Sequence, residues 1–191
     1  MVDEAGKRSY DNLKQDRVVV DYVGRVCEKP ATGEFVYILR REIDALVAWP
    51  PYRRVAAVRH LALARHTKIL YVNKPMQVYY IDIKNKVADN NTAVAGFLKG
   101  LDDMANGTRD ILAQHKTTLI AHCPPRYSRY CSSLALYYLM QGKTALAIPC
   151  LLTALHYGTA KLRVKALGIA CLVAVPHSLR LKLFRFAWRF R

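Results

Sequence analysis

Beyond Asp110 the chain contains no acidic residue, although twelve lysines and arginines follow it. Residues 1–110 hold 18 basic and 14 acidic side chains, so most of the net charge of +16 lies in the second half. Cysteine is sparse as well. The five, Cys27, Cys123, Cys131, Cys150 and Cys171, are odd in number and widely spaced, with no C-x-x-C pair. That spacing indicates neither a zinc site nor a disulfide framework, and it fits a reducing compartment. The N-terminus, Met-Val-Asp-Glu-Ala-Gly-Lys-Arg, lacks the apolar core of a signal peptide. Long apolar runs are missing too: the longest, Ala166 to Pro176, is about half of the ~20 residues that a spanning helix needs.

Several catalytic signatures are absent. Gly142-Lys143-Thr144 lacks the earlier glycine of a phosphate loop, because Tyr137 stands there, and no strand precedes it. The histidines at 60, 66, 115, 122, 156 and 177 form no H-E-x-x-H and no i, i+4 pair. Ser128, Ser132 and Ser133 lie outside any G-x-S-x-G context.

What is present is a 191-residue chain with 52% hydrophobic and 23% charged residues, enough for one folded domain or a small domain with a helical appendage. Residues 1–16 read as a polar tail. Val18-Val19-Val20 is a short apolar element, and Pro30 to Gly33 is a turn. Glu34 to Arg40 has the composition of a strand buried on both faces. Arg41 to Ala48 is a short helix stopped by Trp49-Pro50-Pro51, and Val55 to His66 is a second helix. Lys68 to Val72 and Met76 to Ile81 are strands around the turn Asn73-Lys74-Pro75.

After a polar boundary at Lys84 to Asn91, helix is predicted throughout. One stripe runs from Val94 to Leu112, and Pro124-Pro125 breaks the chain. Four helical segments follow. Gly142 closes one and Thr144 caps the next, Gly158 and Thr159 repeat that arrangement, and Pro176 with Ser178 opens the last. Short turns imply antiparallel hairpins.

The landmarks Asp16, Asp21-Tyr22, Gly33-Glu34, Arg40-Arg41-Glu42, Trp49-Pro50, Tyr71-Val72-Asn73-Lys74-Pro75 and Tyr79-Tyr80-Ile81-Asp82 fall in one order. That order resembles the acceptor-side half of a family 2 glycosyltransferase of the GT-A fold and covers about a third of the chain. The resemblance implies an α/β remnant of a GT-A sheet over residues ~17–82, its strands of the parallel type, within a partial GT-A-like region of 17–90, followed by an all-α basic region over 91–191. It implies sugar transfer from a nucleotide-diphosphate donor to a saccharide or lipid-linked acceptor. The family's Asp-x-Asp half, and with it any Mn²⁺ or Mg²⁺, would lie before residue 1. The chain is therefore expected to be a truncated or split form, inactive alone, that needs a complementary donor-binding half or a second copy.

Inverting transfer needs a carboxylate to take the acceptor proton, which the family places early in the helix after the aromatic-Pro loop. Here Tyr52 to His60 contains no acid, and Glu42 and Asp44 precede the loop. His60 is the weak candidate base; otherwise that stretch is an amphipathic helix with a solvated basic face. Glu34, Arg40, Asn73, Tyr79 and Tyr80 are the substrate-side candidates, since aromatic faces and planar donors suit sugar rings.

The C-terminal segment carries a second signal. On a helix Leu179, Leu183, Phe186 and Phe190 form one apolar stripe, with Lys182, Arg185 and Arg189 roughly opposite and Leu181, Phe184 and Trp188 widening the apolar side. A basic, Trp-bearing amphipathic helix suits an anionic membrane, which predicts a cytoplasmic protein peripheral at the inner membrane face. Docking of this helix on its own domain is the competing expectation. Nucleic acid fits poorly, because the basic residues interleave with aliphatic runs and no recognition motif occurs. A rival from another class is a non-catalytic helical adaptor, since Tyr130 to Gly158 looks loosely like a tetratricopeptide unit, although no repeat of three such units is present.

Overall fold

The computed structural model describes residues 17–27, 40–51, 56–72 and 96–188. The chain divides into two compact units, one of residues 1–50 with 59–86 and one of residues 51–58 with 87–191.

In the first unit, β1 (Arg17–Val20) pairs antiparallel with β2 (Ile69–Val72), Arg17 opposite Val72 and Val20 opposite Ile69. This register sets Val18, Val20, Ile69 and Tyr71 on one face, where Val20 and Tyr71 are buried, and leaves Val19 and Leu70 exposed on the other. This pair is antiparallel where parallel-type strands were expected, with one face buried and the other exposed, as antiparallel sheets allow. Helix α1 (Tyr22–Cys27) follows directly. Asp21 caps it, its Oδ1 accepting from Gly24 N at 2.8 Å. Gly24 is needed for closeness: a Cβ there would meet Val20 Cγ1 at 2.9 Å.

Helix α2 (Arg41–Ala45) carries Glu42 and Asp44 in its first turn, where acids complement the helix dipole. It stops short of the expected Ala48, with Leu46 N bonded to Ile43 O in a tightened last turn. Helix α3 (Ala56–Leu63) likewise ends before the predicted His66, in turns closed by Arg65 N to Ala62 O and His66 N to Leu63 O. The predicted strands at 34–40 and 76–81 lie outside the described residues.

The second unit is helical throughout its described residues, as its periodicity predicts. After a helical turn at 96–99 come α4 (Leu101–His122), α5 (Pro124–Met140), α6 (Thr144–Tyr157), α7 (Ala160–Cys171), a 3₁₀ turn (Leu172–Ala174) and α8 (His177–Trp188). Pro124 and Pro125 open α5, at positions where a missing N–H costs nothing. Gly142 closes that helix with φ +77°, the left-handed conformation glycine adopts without strain. The core lies between α5, α6 and α7, built from Ala135, Leu139, Ala147, Leu151 and Ile169. The alanines, fully buried at 135 and 147, let α5 and α6 approach closely, and each buried leucine contributes about 1.5–3 kcal/mol.

The expected threonine caps are corrected. Lys143 and Thr159 occupy the cap positions before α6 and α7, and neither makes a side-chain cap bond. Thr144 is the first helical residue, and its hydroxyl accepts from Arg180 instead. Gly158 serves proximity rather than backbone freedom, since its φ is −78°: a Cβ would meet Ala154 O at 2.7 Å and Ser128 Oγ at 2.9 Å.

Candidate functional site

Helix α3 brings Arg59 and His60 to the first unit. Arg59 is only 1% exposed, so the predicted solvated basic face does not include it. Its Nε donates to Val47 O at 3.1 Å and its Nη2 to Asp44 O at 2.9 Å, and it pairs with the Asp44 carboxylate. The guanidinium also lies over the Trp49 ring, 4.1 Å from the centroid. Arg59 thus clamps the α2 end and the Trp49-Pro50 loop together, and it occupies the acid nearest to His60 in this stretch.

His60 is half-buried. Burial, then the Arg25 and Arg59 guanidiniums, hold its imidazole below the usual histidine range, so it is neutral at pH 7 and able to accept a proton. The same two cations limit its strength as a base. Arg25 faces the Tyr71 ring, 5.9 Å from its centroid, while burial pushes the Tyr71 hydroxyl up. Of the substrate-side candidates, Arg40 is exposed at the start of α2, its carbonyl accepting from Asp44 N at 2.9 Å. Glu34, Asn73, Tyr79 and Tyr80 lie outside the described residues, so no geometry joins them to Arg40 or His60.

Helix α8 in the second unit answers the question of its two faces differently from the sequence. Arg180 is 5% exposed and docks the helix. Its Nε donates to Val175 O at 2.6 Å, Nη2 to Val173 O at 2.9 Å, and Nη1 to Leu139 O at 3.3 Å and Thr144 Oγ1 at 3.0 Å. One turn on, Phe184 stacks on Phe97 with centroids 4.9 Å apart, and one turn back the His177 ring bonds Met140 O at 2.9 Å. Phe184 therefore belongs to the docked side and does not widen the exposed apolar side. The predicted stripe stays out: Leu179 is 45% exposed, Leu183 43% and Phe186 61%. Lys182, exposed, stands one turn from Phe186 beside the stripe rather than opposite it. The side chains of Arg185 and Trp188, and all of Arg189 and Phe190, lie outside the described residues.

Sequence reasoning passed over Arg59 and Arg180. A signal for both was an arginine set among alanines, valines or leucines in a helix, which reads as a surface charge unless its fork finds carbonyls to bind.

Among the described residues no group of three or more His, Cys, Asp or Glu is placed to hold a metal ion. Cys131, Cys150 and Cys171 are free thiols; burial, with Cys150 alongside, pushes Cys131 up to about 12, which keeps it protonated and inert. No helix among the described residues is long and apolar enough to cross a membrane. No protein-family model, curated protein or solved structure matches this chain.

Proposed function

We propose that this chain forms the acceptor side of a family 2 glycosyltransferase-like protein, presenting a saccharide or lipid-linked acceptor to a donor-binding half that these residues do not include. The observation that carries the reading is the order of landmarks from Asp16 to Asp82. Helix α2 starting at Arg41, the Trp49-Pro50 loop, α3 and β2 at Tyr71-Val72 follow in the order the resemblance implies. In this reading the acceptor hydroxyl attacks the anomeric carbon as the C–O bond to the leaving diphosphate breaks, and its proton passes to a base. Neutral His60 is the group in α3 able to take that proton, and Arg40, Tyr79 and Tyr80 hold the sugar.

Saccharide-observed NMR with the full chain tests this. Oligosaccharides should show saturation transfer, and Tyr79→Ala with Tyr80→Ala should abolish it; an absence of any saccharide contact would overturn the reading.

One observation favours the adaptor as a second reading. Leu134, Ala135 and Tyr138 on α5 and Ala147 and Leu151 on α6 keep the spacing of a tetratricopeptide pair around Gly142. An adaptor of this kind would bind peptides and leave the saccharide spectra unchanged.

A further inference from the structure

Two arginines of the first unit keep a buried N–H group without an acceptor: Nε of Arg25 on α1 and Nη1 of Arg59 on α3. A buried guanidinium N–H that bonds nothing is costly, because its water has been lost and not replaced. Arg59 is almost wholly buried, and its other nitrogens already serve Val47 O and Asp44. Arg25 lies beside the Tyr71 ring and makes no ion pair among the described residues. The two helices that carry these groups are neighbours. Arg65, just past α3, donates from Nε to the Tyr22 hydroxyl at 3.4 Å and lies over the Tyr22 ring, 5.6 Å from its centroid. Arg25 is one turn from Tyr22 on the same face of α1, which brings it toward the turn of α3 that holds Arg59 and His60. His60 is the neighbour that both guanidiniums act on, and His60 and Arg25 are only partly buried, so solvent reaches the cluster from their side.

The charges select the ligand. Asp44 is taken by Arg59, and Asp21 is taken by the cap of α1, so neither acid meets Arg25. An anion with several oxygens suits donors on separate helices, and two negative charges suit Arg25 together with an imidazolium at His60. A phosphate monoester has both properties, whereas a carboxylate or a phosphodiester carries a single charge. We propose that Arg25, Arg59 and His60 bind the phosphoryl group of a phosphate monoester, the two arginines through Nε and Nη1 and the histidine as a further donor. The site does not rest on the saccharide reading, and either can fail while the other stands. A bound dianion would offset Arg25 of α1 and Arg59 of α3, the two cations that hold His60 below the usual histidine range, with the Tyr71 hydroxyl of β2 beyond Arg25. Binding therefore takes up a proton at His60 and tightens as pH falls.

Proton–nitrogen NMR of the full chain, which resolves arginine Nε–H groups, is the test. Inorganic phosphate at millimolar concentration should move the Arg25 Nε–H signal along a saturating curve, and chloride at equal ionic strength should not. Arg25→Gln should weaken binding at least ~tenfold, and Arg25→Lys nearly as much, since lysine keeps the charge and loses the fork. Both variants leave the Arg59 clamp in place, so urea midpoints should stay near the wild type. Sulfate, whose charge is constant over the range, should bind about threefold tighter at about pH 5.5 than at about pH 8, and His60→Gln should flatten that dependence. Glycerol phosphate and a nucleoside monophosphate, run as competitors, show which kind of monoester the site prefers. A shift that chloride reproduces, one spread evenly over the exposed lysines and arginines, or one that Arg25→Gln keeps in full overturns the proposal. So does a sulfate affinity indifferent to pH, because His60 then lies outside the site.

Discussion

Arg59 shows how one side chain organises a loop through main-chain carbonyls as well as through an ion pair. Its fork meets two main-chain carbonyls, the Asp44 carboxylate and the Trp49 ring, while Asp44 keeps 48% of its side chain exposed. Much of the arginine's worth therefore lies in the carbonyls, so Arg59→Met should lower unfolding free energy by about 2 kcal/mol or more and Asp44→Asn by less than half of that. Urea titration reads both; equal losses would mean that the carboxylate dominates. His60 gives a pH signature whose sign follows from its shift. Its folded pKa lies below the ordinary value of 6.5, so between the two the unfolded chain binds more protons, and stability falls as pH drops below about 6.5 and levels off once the folded pKa is passed. In His60→Gln this slope should vanish from urea midpoints taken across that window. The site's histidine was visible in the sequence as a lone imidazole in an acid-free stretch. Its lowered pKa was not, because that depends first on burial and then on Arg25, which is distant in sequence and arrives through folding.

Helices were easier to read than their ends or their faces. The apolar spacing and the punctuation at Pro124, Gly142, Gly158 and Pro176 located four helices in the second unit, since each signal is local and acts within a turn. Thr144 misled because a hydroxyl suited to capping was taken by a partner from α8. Phe184 of α8 was misplaced for a related reason: apolar spacing alone set it beside the Leu179 and Leu183 stripe, whereas Arg180, bound to the carbonyl ends left over by α5 and by the turn after α7, docks the side on which Phe184 meets Phe97. Arg180→Met should detach α8, with loss of hydrogen-exchange protection over 177–188 and about 3 kcal/mol of stability. If protection survives, the Phe184 and Phe97 stack holds the helix. Gly158→Ala should cost about 1–3 kcal/mol by pressing on Ala154 O and breaking the Ser128 Oγ bond to it, measured at 2.7 Å. Gly142→Ala should cost about 1 kcal/mol from its backbone alone, because the nearest atoms, in the His177 ring, are 3.6 Å from a new Cβ.

Across the chain, chemistry and charge are unevenly shared. The first half has all the acids, and the second has a run of cations with none to offset them and the helical scaffold. No Asp-x-Asp occurs anywhere in the sequence, so the chain alone should neither bind nor hydrolyse UDP- or GDP-sugars with Mn²⁺ present. Calorimetry decides this, and micromolar binding would sink the acceptor-side reading. The bonds of Arg180 have a genetic corollary. Three of its four acceptors are main-chain oxygens, which no codon change removes, and the fourth is Thr144. A selection for suppressors of an Arg180 variant would then find no reciprocal charge swap, because there is no opposite charge to exchange. Revertants at codon 180 should dominate, and substitutions that enlarge the Phe184 and Phe97 contact should make up the remainder.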